Sequence, residues 1–213
     1  MVACAMYSLG FFTEQKIYIV ESEPDAFGGF FTGRLVDGVM TGHGEIVYKN
    51  GDRFTGTFEN GEYHGDGLFE AAAGWSYEGR FSRGLPHGQG VFTDESGGVF
   101  EGSFNAGVID GEGVFLSSAG WSYDGVWDQG RQTGEGTFIY EDGSIYTGGF
   151  LYGAASGRGE YTDAAGWSYK GGFVHGLFDG TGTIFFANGD SLIGLWDVGI
   201  LTEIISKIIA GQA

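Results

Sequence analysis

Glycine recurs at a fixed spacing of 23 residues along almost the whole chain. The first members of the five glycine columns are Gly33, Gly38, Gly42, Gly44 and Gly51. Each column continues through the following units without a slip, and five columns in register do not arise by chance. The chain is therefore a tandem array of one small structural unit, and each copy is expected to pack mainly on its neighbours.

The unit itself has the pattern of two β-strands. The seven units begin at Phe31, Phe54, Tyr77, Phe100, Tyr123, Tyr146 and Tyr169. Six of the seven open with aromatic-x-Gly-x-aromatic and five continue with Gly-x-Gly-x-aromatic, with Leu35, Ile46 and Ile184 at the remaining positions, so apolar positions alternate with a period of two. A glycine facing an aromatic residue leaves room for the ring. Since a glycine inside a strand costs roughly 0.5–1 kcal/mol, we expect these glycines to be kept for the packing that they permit.

Turn signals separate the predicted strands. Asn50-Gly51 and its equivalents join successive units, and a loop such as residues 60–65 joins the two strands of one unit. The sequence therefore predicts an all-β fold, an elongated single-layer antiparallel β-meander of about fifteen strands built from 23-residue hairpin repeats.

The two ends of the array depart from the repeat. Residues 1–30 are interpreted as a degenerate N-terminal cap in which residues 9–12 keep the register and residues 16–20 form a short strand. Residues 31–191 hold the seven repeats, and residues 192–213 hold a partial eighth repeat and a short C-terminal helix. Thr202 would cap that helix, with Ile204 and Ile208 on its apolar stripe. This helix would either cover the last hairpin or dock a second copy or another protein.

Composition narrows the range of partners. The formal net charge is −18, from 28 acidic and 10 basic residues, which disfavours nucleic-acid phosphates and anionic lipid but suits a basic protein segment. Cys4 is the single cysteine, so no disulfide forms within the chain. The first residues lack the early positive charge of a secretory signal, and we expect a cytoplasmic protein.

No pattern in the sequence indicates catalysis. The Gly-x-Gly pairs occur in every repeat and are not followed by a helix, so they do not predict a nucleotide site. The four histidines, His43, His64, His87 and His175, lie in different repeats, which is a poor arrangement for a metal site. The sequence therefore predicts no enzyme activity, no cofactor and no metal.

The repeat resembles the MORN repeat (membrane occupation and recognition nexus), whose unit reads roughly Tyr-x-Gly-x-Trp-x-x-Gly-x-x-x-Gly-x-Gly. The resemblance extends from residue 31 to about residue 199. It implies a scaffold or adaptor of cytoskeletal, ciliary or flagellar assemblies. The family's loop usually carries basic residues, and this chain keeps only His64 and His87 there. Peripheral binding of phosphoinositide membranes, the alternative function that the resemblance implies, is therefore disfavoured.

Two sets of aromatic residues are the candidate binding surface. The column aromatics Phe81, Phe104, Trp127 and Phe150 would line a face that takes a helical or extended segment of another protein, although folding needs the same rings. Trp75, Trp121 and Trp167 recur at a second period of 46 residues. These tryptophans either pack over the adjacent alanines and tyrosines or form an exposed row that anchors a partner. Association of two copies through one end of the array is a further expectation.

Overall fold

A computed structural model describes residues 17–24 and 29–210. Within these residues every regular element is a β-strand, and there are seventeen of them where the sequence predicted about fifteen. Residues 1–16 of the predicted cap, together with Gly28, lie outside the described part. The chain forms two compact units, residues 1–108 and 109–213.

The first unit contains eight strands, and each pairs with the next along the chain in antiparallel fashion. Its strands are β1 (Ile17–Pro24), β2 (Phe30–Val36), β3 (Val39–Val47), β4 (Arg53–Glu59), β5 (Glu62–Glu70), β6 (Ser76–Ser82), β7 (Leu85–Thr93) and β8 (Val99–Asn105). The strand predicted over residues 16–20 corresponds to β1, which extends further.

The second unit has the same hairpin architecture, with antiparallel pairs between consecutive strands. Its strands are β9 (Val108–Leu116), β10 (Ser122–Asp128), β11 (Arg131–Ile139), β12 (Ile145–Leu151), β13 (Ala154–Thr162), β14 (Ser168–Val174), β15 (Leu177–Phe185), β16 (Ser191–Asp197) and β17 (Ile200–Ile208). Each unit is thus an open antiparallel sheet of hairpin repeats, as the sequence predicts.

A row of glycines crosses the strands of each sheet and carries the buried rings. In the second unit Gly125 faces Gly136 across one hairpin, and Gly136 faces Gly148 across the next ladder. A Cβ built on Gly136 would lie only 2.6–2.8 Å from the hydroxyl oxygen and two ring carbons of Tyr123, so the ring rests directly on the backbone. The predicted role of the glycines is confirmed. Because its ring lies flat on the sheet, Tyr123 is fully buried even though the unit is a single layer of β-sheet.

The tyrosines of this row also satisfy their own hydroxyl groups. The hydroxyl of each donates to the main-chain carbonyl three residues later: Tyr77 to Arg80 (3.0 Å), Tyr123 to Val126 (3.1 Å), Tyr146 to Gly149 (2.9 Å) and Tyr169 to Gly172 (3.2 Å). Burial raises the pKa of Tyr77, Tyr123 and Tyr146 to about 12. The neutral phenol is therefore the form that the fold stabilises.

The hairpin turns are shorter than the sequence predicted. Asn60 (φ 53°) and Gly61 (φ 84°) are the two central residues of a turn with positive φ at both positions, and β5 begins at Glu62. The predicted loop over residues 60–65 is therefore wrong in length, because a two-residue turn of type I′ matches the twist of the flanking strands. The residues after the turn belong to the second strand, which contains a bulge opposite Gly56.

One of these turns contains a residue poorly suited to its conformation. Val198 has φ of 44°, a left-handed value that strains a β-branched side chain. We expect Val198→Asn to raise the free energy of unfolding by about 1 kcal/mol, measured by urea titration. The reciprocal change Asn60→Val, at the equivalent turn position, should lower it by a similar amount. Equal stability of Val198→Asn and the parent would contradict the argument.

The C-terminal helix predicted over residues 202–209 is wrong. This segment belongs to β17, which pairs with β16, for example Leu201 with Trp196. Isoleucine favours strands because its branched side chain is restricted in a helix. Two irregularities in the β16–β17 ladder place extra residues in β17, so the alternation that identifies a strand is broken there. Because of that break, and because Ile204 stands next to Ile205, the isoleucines have the spacing of an apolar stripe on a helix.

Candidate protein-binding surface

Each sheet has one aromatic and one polar face. In β4 the buried Phe54, Gly56 and Phe58 alternate with Thr55 and Thr57, which are partly exposed on the other side. We call the side that carries the glycine row and the rings of the first strands the aromatic face. Its rings contact one another edge to face at 4.7–5.3 Å along the row, a preferred geometry for aromatic pairs.

The predicted column aromatics lie on the aromatic face but are almost fully buried. Phe81 and Phe104 are 5% and 6% exposed in the first unit, and Trp127 and Phe150 are each 7% exposed in the second. Phe81 and Phe104 pack on the ring of Tyr77 at 5.1 and 4.8 Å. With so little exposure these side chains form the floor of the aromatic face, and a partner would contact mainly the residues above them.

The three predicted tryptophans are half-buried and stack on rings of the second strands. Trp75 stacks on Phe69 with ring centres 5.1 Å apart, and Trp121 stacks on Phe138 at 5.3 Å. Trp167 lies 5.4 Å from Tyr161 in a tilted arrangement. Each tryptophan therefore extends the aromatic face of its own unit at every second turn, and each keeps part of its ring open to solvent.

The two predicted isoleucines of the C-terminal segment are exposed. Ile204 is 58% and Ile208 is 60% exposed on β17. They lie in a strand and not on a helical stripe, so the predicted docking helix has no counterpart. Because Ile204 and Ile208 lie on the surface of a strand, their apolar side chains are open to solvent beside β16.

Sequence reasoning missed a column of residues at the start of the second strands. Tyr63 lies flat on Phe54, with ring centres 3.8 Å apart, and Phe178 lies flat on Tyr169 at the same distance. Pro86 occupies the equivalent place opposite Phe81. The two-residue hairpin turn is what brings this column onto the aromatic face, so predicting a longer loop concealed it.

A second column, at the first residue of the turns between repeats, also carries rings in some repeats. Tyr140 packs against Phe138 at 4.7 Å and Tyr161 at 6.0 Å, and the same column holds Tyr48 and Phe186. Asp94 stands in this column in the first unit. A comparison of the repeats column by column would have revealed these rings.

Pro86 and Asp94, one from each of these columns, line the same groove. The Trp75 groove has a volume of about 690 Å³ and is lined by Trp75, Tyr77, Pro86, Phe92, Asp94 and Phe104 among others. Its volume lies within the range of about 300–1,000 Å³ that is common for ligand sites. Its lining is mainly aromatic and includes the carboxylates of Asp94 and Glu95.

Hydrogen bonds within its own turn stabilise the negative charge of Asp94. Its Oδ1 accepts hydrogen bonds from the Ser96 hydroxyl (2.6 Å), the Ser96 amide (2.8 Å) and the Gly98 amide (2.9 Å). These hydrogen bonds, that from the Ser96 side chain above all, lower the pKa of the carboxyl. Asp94 therefore remains negative throughout the neutral pH range.

The polar face is chemically different. A shallow depression of about 710 Å³ on the second unit is lined by threonines together with Arg158, Glu160 and Lys170. Lys170 pairs with Glu160 at 3.4 Å, and both side chains are largely exposed. Charged and threonine side chains make up most of this lining, with Ile145 as its exposed aliphatic residue, so the ring-lined aromatic face is the better candidate for binding another protein.

The described residues include no cluster of three or more histidine, cysteine, aspartate or glutamate side chains placed to hold a metal ion. In residues 17–24 and 29–210 there is likewise no helix able to span a membrane.

The fold and the aromatic face together define a β-hairpin repeat protein whose glycine row carries interlocked rings. Seven consecutive matches to the MORN repeat model cover residues 31–53, 54–75, 77–99, 100–122, 123–145, 146–168 and 169–191. The chain belongs to the MORN repeat family. No curated protein matches the chain.

Some solved structures are similar over much of the chain, at low identity. The Drosophila melanogaster SAS-4 (dCPAP) TCP domain, in complex with a proline-rich motif of Ana2 (dSTIL), is 12% identical, with 83% of this chain and 89% of that chain covered and a TM-score of 0.46. The Danio rerio CPAP TCP10 domain with a STIL peptide is 14% identical, with 80% of this chain and 71% of that chain covered and a TM-score of 0.44. At such TM-scores this likeness carries no argument about the present chain.

Proposed function

We propose that this chain is a non-catalytic scaffold or adaptor that binds another protein through its aromatic face. The observation that carries the proposal is the contrast between the two faces: half-buried rings such as Trp75 and Trp121 remain open above a floor of buried rings, while the other face mixes charged and polar residues with separate exposed apolar side chains. Aromatic residues on a rigid support are the side chains that most often anchor protein interfaces.

The chemistry of the partner follows from the charge. With a net charge of −18 the chain favours a basic segment, which would also associate faster at low salt. Its setting is a cytoplasmic assembly of the cytoskeletal or ciliary type, an expectation that membership of the MORN repeat family supports.

A matched pair of substitutions tests which face of the sheet binds the partner. Tyr140 lies on the aromatic face and is 40% exposed, and Ile145 lies on the polar face of the same unit and is 38% exposed. A partner identified by proximity labelling with the full chain should bind Tyr140→Ser at least about ten times more weakly, because a ring at an interface is a frequent hot spot. Ile145→Ser should bind as the parent does.

The opposite result would contradict the proposal. If Ile145→Ser lost the partner and Tyr140→Ser kept it, the polar face would be the binding surface. If no protein partner were recovered and the chain sedimented with vesicles of acidic lipid at about 0.15 M salt, the membrane-tethering alternative would hold. Melting curves of both variants show whether each is still folded.

A further inference from the structure

We propose that β17 is the interface through which two copies of this chain associate, edge to edge and antiparallel, about a two-fold axis. This inference goes beyond the proposed function, because it concerns the C-terminal edge of the second unit and not the aromatic face. Three observations carry it: an open edge of a kind that is paired in the preceding repeats, apolar side chains along that edge, and charges that match a second copy of the same strand.

The free edge of β17 is of a kind that takes an antiparallel strand in the preceding repeats. β17 is the second strand of the last hairpin, as β15 is of the hairpin before it. β15 pairs with β14 on one side and, through residues 180–185, with β16 on the other. In the described part of the chain β17 pairs with β16, and no strand pairs with residues 203–208 on their other side. The N–H and C=O groups along that side form a template for one more antiparallel strand.

The irregularities in β17 leave this edge able to pair. Bulges at an edge often protect a sheet from further pairing. β15 has two extra residues opposite β14, however, and still pairs with β16 on its outer side. β17 also has two extra residues opposite β16, divided between two places in the ladder. A bulged second strand therefore accepts a neighbour in this fold.

The side chains of β17 are apolar and open to solvent. All nine of its residues are exposed. The isoleucines are 54–68% exposed, and they are Ile200, Ile204, Ile205 and Ile208. The second strands of the seven repeats carry a Gly-x-Gly pair where β17 has Glu203-Ile204-Ile205. Because edge strands are usually kept from pairing by several charges or a proline, and β17 has one lysine and no proline, this edge favours association.

The charges of β17 match a second copy of the same strand. With a net charge of −18, two copies repel one another over most of their surface. β17 contains one acidic and one basic residue, Glu203 and Lys207, and so has no net charge. Ile205 lies midway between them. When two copies pair antiparallel about a two-fold axis at Ile205, Glu203 of each lies beside Lys207 of the other, and both cross-strand pairs join opposite charges.

A second copy that offered β1 instead would fit this edge less well. β1 contains Glu21 and Glu23 and ends at Pro24, which has no N–H to donate. It would bring two negative charges to a strand that already contains Glu203. Pairing of β17 with β1 would also continue from copy to copy into a filament, whereas two-fold pairing of β17 closes after two copies. The expected assembly is therefore a dimer.

Sedimentation of the full chain tests the assembly. Between about 1 and 100 µM at about 0.15 M salt we expect a monomer–dimer equilibrium without larger species. Glu203→Lys and Lys207→Glu should each weaken the dimer at least about tenfold, because each places like charges side by side at both cross-strand pairs. Glu141→Lys and Lys49→Glu make the same changes of net charge at exposed positions outside β17, and should dimerise as the parent does.

Combining the two charge variants tests the two-fold pairing itself. The double variant Glu203→Lys with Lys207→Glu restores opposite charges and should dimerise within about threefold of the parent. A mixture of the two single variants, one of them carrying a fluorescent label, should form a mixed dimer. Because that dimer again pairs opposite charges, it should be at least about ten times tighter than either variant's association with itself.

Four outcomes would overturn the inference: a chain that stays monomeric up to about 100 µM, assemblies that grow beyond the dimer, unchanged dimerisation of both single charge variants, or no mixed dimer. Melting curves establish that the variants are folded. Dimerisation and the proposed function are tested separately. Glu203→Lys should still bind the protein partner found by proximity labelling, and Tyr140→Ser should still dimerise.

Discussion

Replacing Gly136 with alanine is expected to lower the free energy of unfolding by about 3 kcal/mol, because the new methyl group overpacks against the fully buried ring of Tyr123. The new methyl group would lie 2.6 Å from the hydroxyl oxygen of Tyr123 and 2.7–2.8 Å from two of its ring carbons. That ring has no room to move, because it packs edge to face with Trp127 at 5.1 Å and with Phe150 at 4.8 Å. Urea titration followed by circular dichroism measures the loss.

Two further variants separate this clash from a general intolerance of alanine. A Cβ at Gly143 would meet nothing within 4 Å, so Gly143→Ala should cost only about 1–2 kcal/mol for its positive φ. Tyr123→Leu removes the ring, and the double variant with Gly136→Ala should be more stable than the sum of the single losses predicts. Strict additivity would show that the ring is not what excludes a side chain from Gly136.

Raising the pH from about 9 to about 12 is expected to destabilise the fold cooperatively. The pKa of Tyr77, Tyr123 and Tyr146 is raised by burial from 10.0 to about 12. Because the folded-state pKa lies above the unfolded value, this stabilisation is fully present below pH 10 and is lost as the pH rises through 12. Each tyrosine should contribute about 2 kcal/mol, so the free energy of unfolding should fall by several kcal/mol.

Phenylalanine at these positions supplies the control, since Phe54 and Phe100 occupy the same column and are fully buried. The triple variant Tyr77→Phe, Tyr123→Phe and Tyr146→Phe should lose about 1 kcal/mol per hydroxyl at neutral pH. Between pH 10 and 12 its stability should fall much less than that of the parent, because only Tyr169 of this column, whose pKa burial also raises, keeps its hydroxyl. Tyr152→Phe, at a side chain 74% exposed, should unfold as the parent does. Alkaline unfolding of the triple variant at the same pH would show that other groups cause it.

The repeat, its strands and the buried aromatic row could be predicted because each depends on a local pattern. Tyr123, Gly125 and Trp127 alternate along one strand, so their side of the sheet is determined before any packing is known. The glycine columns imply close contact with rings, since glycine otherwise weakens a strand. Resemblance to the MORN repeat rested on the same residues, and the family model matches at the same register.

The C-terminal strand and the Trp75 groove could not be predicted in this way. The segment from Thr202 alternates irregularly because β17 contains extra residues opposite β16, and only the ladder shows that it is a strand. The groove is lined by residues of β6, β7 and β8 and of the turns beside them. The sequence places each of these residues on a strand or turn, but the space between them is a property of the packed sheet.

By itself the sequence determined the period, the order of the strands, the residues that face inward and the acidic character of the surface. The first three follow from a side-chain period of two and from the absence of a Cβ at regular positions. The acidic character follows from the composition. The tertiary structure alone decided the length of the hairpin turns, the strand at the C-terminus and which rings stay partly open, such as Trp75 and Trp121. Those features depend on contacts between residues of different strands, such as Trp121 with Phe138 and Leu201 with Trp196, and the pattern along one strand does not contain such contacts.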